Sequence, residues 1–290
     1  MKRTIFIGLV CLGFWRAIAG SPEGERTIDL GGRALKMRTY GSTKATPVVV
    51  IEAGMGEPPL ASGSWRKVVE AVAATHRVVI YNRAGLGGSD PAPKLPRTSR
   101  DVAADLHALL TKAQIAGPYV LVGHSYGGLH LRVFAGEHPQ SVAGLVLVDA
   151  THPDQDARWL ASLPPATPNE PASVSGARTF LASRVSPDSN PEQIDPVASS
   201  AQVKAARVLG DKPLMILTHH AGFSVDPNLP AEVAAKIESV SQALAEEMKR
   251  LSTKSTLRRS VAGGHNLQAE DPQLVIDGIR DVLRAVAERR

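Results

Sequence analysis

Residues 119–128, Tyr-Val-Leu-Val-Gly-His-Ser-Tyr-Gly-Gly, constrain the fold more than any other stretch. Four residues suited to a buried strand run directly into a small-residue turn, and helical spacing of apolar residues begins at Gly128. The chain must therefore turn sharply from strand to helix around Ser125. Gly123 and Gly127 flank that serine and let neighbouring backbone approach without a Cβ clash. At such an apex a serine is held in a strained conformation, with its hydroxyl raised above the C-terminal edge of a sheet. The first N–H groups of the helix then point at any anion formed there. A bare Gly-x-Ser-x-Gly is common by chance. A strand before it and a helix after it give this one weight.

The rest of the chain repeats the same alternation. Apolar, β-branched runs at 47–52, 77–82, 119–122, 144–148 and 213–218 read as buried strands. Stretches 65–75, 99–113 and 128–138 carry helical spacing between them. This predicts an α/β fold, with a mostly parallel sheet flanked by helices and one antiparallel hairpin within 27–40. The last helix is the clearest. Asp271 caps it, Pro272 fits its first turn, and Val275, Ile276, Ile279, Val282, Leu283 and Val286 form its core stripe. No internal repeat interrupts the pattern. A Pro-, Ser- and Ala-rich stretch at about 151–210 breaks it and is too long for an ordinary connection, so it reads as a small helical lid inserted into a single domain spanning 20–290.

The 290 residues are 43% hydrophobic and 21% charged, which excludes a disordered or fibrous chain. Lys2 and Arg3 precede an apolar run, and Ala17-Ile18-Ala19 resembles a cleavage site, so residues 1–19 are expected to be a signal peptide. Export to the periplasm or beyond follows as an expectation, with no stable membrane association after cleavage. Loss of Lys2, Arg3 and Arg16 lowers the formal charge of +5 to +2, too little to argue for a nucleic-acid partner. The one cysteine, Cys11, would leave with that segment and can form no internal disulfide.

The strand–turn–helix around Ser125 resembles the α/β-hydrolase superfamily, and the resemblance extends over nearly all of the chain after the signal segment. Ile51-Glu52-Ala53-Gly54-Met55-Gly56 stands where that family places its oxyanion loop. Tyr81-Asn82-Arg83-Ala84-Gly85-Leu86-Gly87-Gly88-Ser89 looks like its glycine-rich turn, and Gly263-Gly264-His265-Asn266 like its histidine loop. Two departures bear on pocket shape: Glu52-Ala53-Gly54 replaces the more usual His-Gly pair, and Asn82 replaces a usual Asp.

A serine hydroxyl is a poor nucleophile at neutral pH and needs a base, itself oriented by a third group. Of nine histidines, His265 fits best, because it precedes the final helix and matches the family's chain order of Ser, acid, His. His124 adjoins Ser125 but is expected to point elsewhere. His219 and His220 close a strand and are candidates to line the pocket, whereas His76, His107, His130, His138 and His152 read as unremarkable helix or loop residues. The acid is Asp149, squarely at a strand end, or alternatively Asp226, in the loop the superfamily uses more often. The oxyanion hole is expected from the backbone N–H groups of Met55 and Tyr126. Metal-ligand spacing and a phosphate loop are both missing from the sequence, so no cofactor is expected. Arg258, Arg259, Arg289 and Arg290 read as solvated, and 230–251 as an exposed amphipathic helix.

The resemblance implies hydrolysis of a small-molecule carboxylic ester through an acyl-enzyme, and the modest apolar content of the lid points to a small or medium acyl group. The same geometry serves amide, lactone or carbon–carbon bond hydrolysis and cofactor-free peroxidation. A serine nucleophile in place of an aspartate argues against haloalkane dehalogenase or epoxide hydrolase chemistry. The rival from another class is a small-molecule receptor that keeps the triad with little or no turnover.

Overall fold

Side chains alternate between the two faces of a strand, and here both faces are covered, so the strands read as unbroken apolar runs. The computed structural model describes residues 22–42, 44–224 and 226–289; the predicted signal segment 1–19 lies outside the described residues. Among the described residues eight strands form one sheet: β1 (Pro22–Asp29), β2 (Ala34–Tyr40), β3 (Val48–Glu52), β4 (Val78–Tyr81), β5 (Tyr119–His124), β6 (Val142–Val148), β7 (Leu214–Thr218) and β8 (Ser255–Arg259). Their spatial order is β1-β2-β4-β3-β5-β6-β7-β8. β1 and β2 form the antiparallel hairpin, β2 meets β4 antiparallel, and every later pairing is parallel.

The helices are α1 (Pro59–Ser62), α2 (Arg66–Ala73), α3 (Ser99–Lys112), α4 (Gly127–Glu137), α5 (Gln155–Ser162), α6 (Ala172–Ser183), α7 (Pro196–Ala205), α8 (Ala231–Met248), α9 (Leu267–Glu270) and α10 (Pro272–Ala287). Val48, Val50, Leu121, Leu145 and Leu147 face α3 and α4 in one core, while Val49, Ile51, Val120, Val122 and Val146 face α2 and α10 in the other. Asp271 caps α10 by accepting from the Leu274 N–H at 3.3 Å, and it also accepts from Ser260 Oγ at 2.6 Å. Among the described residues no helix is long and apolar enough to cross a membrane.

The stretch between β6 and β7 divides into two parts. α5 and α6 pack with the N-terminal half of α8 around Leu163, Val174, Leu181, Leu229, Val233 and Ile237. These three helices roof the C-terminal edge of the sheet. α7 instead lies against α3 and α4, with Ile194 and Val203 in the main core. The helix at 230–251 thus differs from its sequence reading. Its apolar stripe is divided between the roof and the main core, where Ala245 and Met248 are buried. β8 was also hidden in the sequence, because an edge strand needs no apolar run; Ser-Thr-Leu-Arg-Arg is only partly buried, and Arg258 pairs with Asp281 at 2.5 Å.

Candidate active site

Parallel strands bring β5, β6 and the β8–α9 loop to the same edge, and three residues far apart in sequence meet there. Ser125 follows β5 with φ of 51°, the left-handed region that a non-glycine residue adopts only under constraint. Its N–H donates to Val148 O at 3.2 Å, and its carbonyl accepts from the Thr151 N–H at 3.0 Å. The turn is tight enough that a Cβ on Gly127 would stand 2.5 Å from Glu52 O. Ser125 Oγ–H donates to His265 Nε2 at 3.1 Å, and His265 Nδ1–H donates to Asp149 Oδ2 at 2.6 Å. A carboxylate only accepts, so it fixes the proton on Nδ1 and leaves Nε2 free to receive one. Asp226, the alternative acid, does not join them. Its Oδ1 caps its own turn, accepting from Asn228 N at 2.8 Å and Asn228 Nδ2 at 3.0 Å.

The loop after β7 sends His219 to the site instead. Asp149 Oδ1 accepts from His219 Nδ1–H at 2.7 Å and from the His219 backbone N–H at 3.1 Å. On its other side, His219 Nε2–H donates to Glu238 Oε2 at 2.8 Å. Burial opposes a charge on this ring, but hydrogen bonds to Asp149 and Glu238 outweigh it and hold its pKa up at about 9. Burial likewise pushes the Asp149 carboxyl upward, yet the hydrogen bonds from His219 and His265 hold it well below the usual range.

His124 does not merely point away. Its Nε2–H donates to the His265 carbonyl at 2.9 Å, and Gln268 Nε2 approaches its Nδ1 at 3.4 Å. Burial, followed by the neighbouring His265 charge, pushes its pKa down to about 4, so it holds the histidine loop as a neutral ring.

The two departures from the usual pattern have separate explanations, and that of Glu52 is Arg83. This buried guanidinium donates to Glu52 Oε1 at 2.7 Å, Ala53 O at 2.7 Å and Gly54 O at 2.6 Å. It also grips both oxygens of Glu192, at 2.6 and 2.7 Å. Tyr81 OH donates to Glu52, and Glu192 Oε1 accepts from the Gly56 N–H at 2.7 Å. Burial raises the Glu52 pKa despite Arg83, whereas Glu192, also pushed up by burial, is brought below its usual value by the Arg83 charge. Glu52 is therefore an anchor for the loop at 53–56. Asn82 is needed as an amide: Nδ2 donates to Gly87 O at 3.0 Å while Oδ1 accepts from the Leu60 N–H at 3.2 Å. An aspartate could not do the first.

The clamp engages the Gly56 N–H, and the loop it holds passes close to the nucleophile turn, where a Cβ on Gly54 would meet Ser125 Cβ at 3.4 Å. Tyr126 immediately precedes α4, so its N–H is one of the helix-start donors that lack a partner within the helix. Above Ser125 and His265 lies a cavity of about 280 Å³, roofed by Trp159 of α5, Phe180 of α6 and Gln242 and Leu244 of α8. His152, read as unremarkable, lines it. Its Nδ1 accepts from the Asp154 N–H at 3.1 Å, which leaves the proton on Nε2. Burial, then the Arg132 charge, pushes its pKa down to about 4.

The family model described as the alpha/beta hydrolase fold matches residues 46–180. A protein of Hormonema carpetanum named "Probable transporter efuK" is 30% identical over 91% of this chain, which spans only 43% of that protein's length. An "AB hydrolase superfamily protein" of Gibberella zeae is 24% identical over 84% of this chain and 88% of its own. Among solved structures, a loop variant of haloalkane dehalogenase from Bradyrhizobium elkanii superposes with a TM-score of 0.66 at 20% identity, covering 93% of this chain and 100% of that one. The chain belongs to the α/β-hydrolase superfamily, as its sheet order and nucleophile turn also indicate.

Proposed function

We propose that this hydrolase cleaves carboxylic esters through a serine acyl-enzyme. The observation that carries the reading is the unbroken relay from Ser125 Oγ through His265 to Asp149, at 3.1 and 2.6 Å. Ser125 Oγ attacks the ester carbonyl as its proton passes to His265 Nε2. The Met55 and Tyr126 N–H groups receive the oxyanion, each such donor contributing about 3–4 kcal/mol to barrier lowering. His265 returns the proton to the departing alcohol. A water then repeats the sequence, with His265 as base, and releases the acid. Asp149 holds the ring orientation and offsets the imidazolium charge without taking the proton.

The cavity of about 280 Å³ supports a small or medium acyl group, and the mix of Trp159 and Phe180 with His152 and Gln155 supports one that is not purely alkyl. Likeness to a dehalogenase supports the fold, while a serine at the nucleophile position favours acyl transfer. Export, read from residues 1–19, belongs to the same proposal. A panel of p-nitrophenyl esters of increasing chain length tests it. Multiple turnovers on short esters, lost in Ser125→Ala, are expected. A ligand that raises the melting temperature without being consumed, with no turnover on any ester, would replace the enzyme with a receptor.

A further inference from the structure

Asp149 accepts hydrogen bonds from two imidazoles, and only one of them lies on the path to Ser125. His265 occupies Oδ2, while His219 occupies Oδ1 with both its ring and its backbone N–H. His219 is itself held on its far side by Glu238 of α8. Each His219 ring nitrogen thus faces a carboxylate oxygen that can only accept, which is the arrangement of an imidazolium.

We propose that His219 and Glu238 form a charged brace, in which His219 is a positioning residue that fixes the plane of Asp149 and tunes the basicity of the serine relay. The inference rests on the acyl-enzyme reading above and goes beyond it by assigning the relay a second, cationic partner. A carboxylate held at one oxygen can swing about its Cβ–Cγ bond. With Oδ1 taken by two donors from the β7 loop, Oδ2 is presented to His265 alone. The positive charge of His219 partly offsets that of Asp149, so His265 meets a weaker field than a lone buried carboxylate would give.

The titratable groups facing His219 come from separate elements: Asp149 from the end of β6, Glu238 from α8, and His265 across Asp149 from the loop before α9. In its own loop, the Phe223 ring lies 4.8 Å away, and His220 turns its Nδ1–H to Ala221 O. His152 and Arg184 line the same cavity. The brace also reaches the substrate space. Gln242, one turn along α8, donates to Glu238 and lines the cavity roof. A group bound there acts on the acid through three consecutive hydrogen-bonded side chains.

The test has an arm that needs no turnover. Imidazole NMR of the full chain, with His219 signals assigned by their loss in His219→Gln, should show the wild-type ring protonated at pH 8. Glu238→Gln should lower its titration midpoint by about 1 unit. The second arm is the pH profile of kcat/KM on p-nitrophenyl acetate. Removing a positive charge beside Asp149 favours the proton on the base, so His219→Gln should move the acid limb upward by about 1 unit. It should also lower kcat by about tenfold, the size of effect seen when an orienting partner is lost, with KM nearly unchanged. A neutral His219 at pH 8 overturns the brace. So does a wild-type acid limb in a folded His219→Gln. If that variant fails to fold, the ring whose midpoint falls in Glu238→Gln is assigned to His219 instead, and a spectrum in which no midpoint falls overturns the brace. Absence of ester turnover in the wild type would count against the esterase reading, and the NMR arm would still decide the brace.

Discussion

Ser125 and Asp149 face each other from the ends of adjacent strands, and both are held in the left-handed region, with φ of 51° and 41°. Each such residue costs on the order of 1–3 kcal/mol unless its surroundings fix it. Here the Ser125 N–H is tied to Val148 O and the Asp149 N–H to Leu217 O at 2.7 Å. Asparagine tolerates this backbone, so Asp149→Asn should fold while losing kcat by about 10⁴-fold, the loss found when a triad acid is neutralised. Asp226→Asn, assayed beside it, should behave as wild type. The charged cluster also sets a pH window for stability. Asp149 is depressed in the fold, so its contribution is complete above about 3.9, the unfolded value, and fades as pH falls through its lower folded value. His219 is raised from 6.5 to about 9, so its contribution is complete below 6.5 and lost as pH rises through about 9. The melting temperature should therefore decline between pH 7 and 10, and His219→Gln should flatten that decline. Ser125, His265 and Asp149 were legible in the sequence because each sits in a local pattern: a glycine-flanked turn, a glycine pair before a helix, a strand end. The contacts of His219 and His124 were not, since they involve partners 70 and 141 positions away that no local spacing announces.

Among the elements, the turn from β5 into α4 has no room to spare. A Cβ on Gly127 would collide with both Glu52 O and Ala53 O, at 2.5 and 2.6 Å, and these are backbone atoms that cannot swing aside. Gly127→Ala should destabilise by about 1–3 kcal/mol through overpacking, read from urea denaturation. It should also displace the loop carrying Met55 and lower kcat more than KM. Core strands β3 to β7 were legible because two-sided burial demands continuous apolar runs. β8 was not, because an edge strand that is only partly buried has no such demand. α8 was recognised as amphipathic, but its direction of burial depends on α5 and α6 standing above it, which is a tertiary fact.

Across the whole molecule, one guanidinium joins three parts of the chain. Arg83 follows β4, Glu52 ends β3, and Glu192 belongs to the segment between β6 and β7, 109 positions further on. All three side chains are almost fully buried. Arg83→Met would leave two carboxylates enclosed without their counter-charge, and such breaks typically cost about 3–5 kcal/mol. Thermal unfolding of the variant should show that loss, and its turnover of the p-nitrophenyl ester panel should fall further than its stability explains, because Ala53, Gly54 and Gly56 lose their tether together. For protein engineering this joint marks where a graft can begin and end. Exchanging residues 151–210 wholesale for a relative's, in search of new substrates, would discard Glu192 and loosen the floor beneath the scissile bond. A transplant that stops before Asn190, whose side chain closes its own turn on the Ile194 N–H at 2.9 Å, would change the ceiling and leave that floor in place.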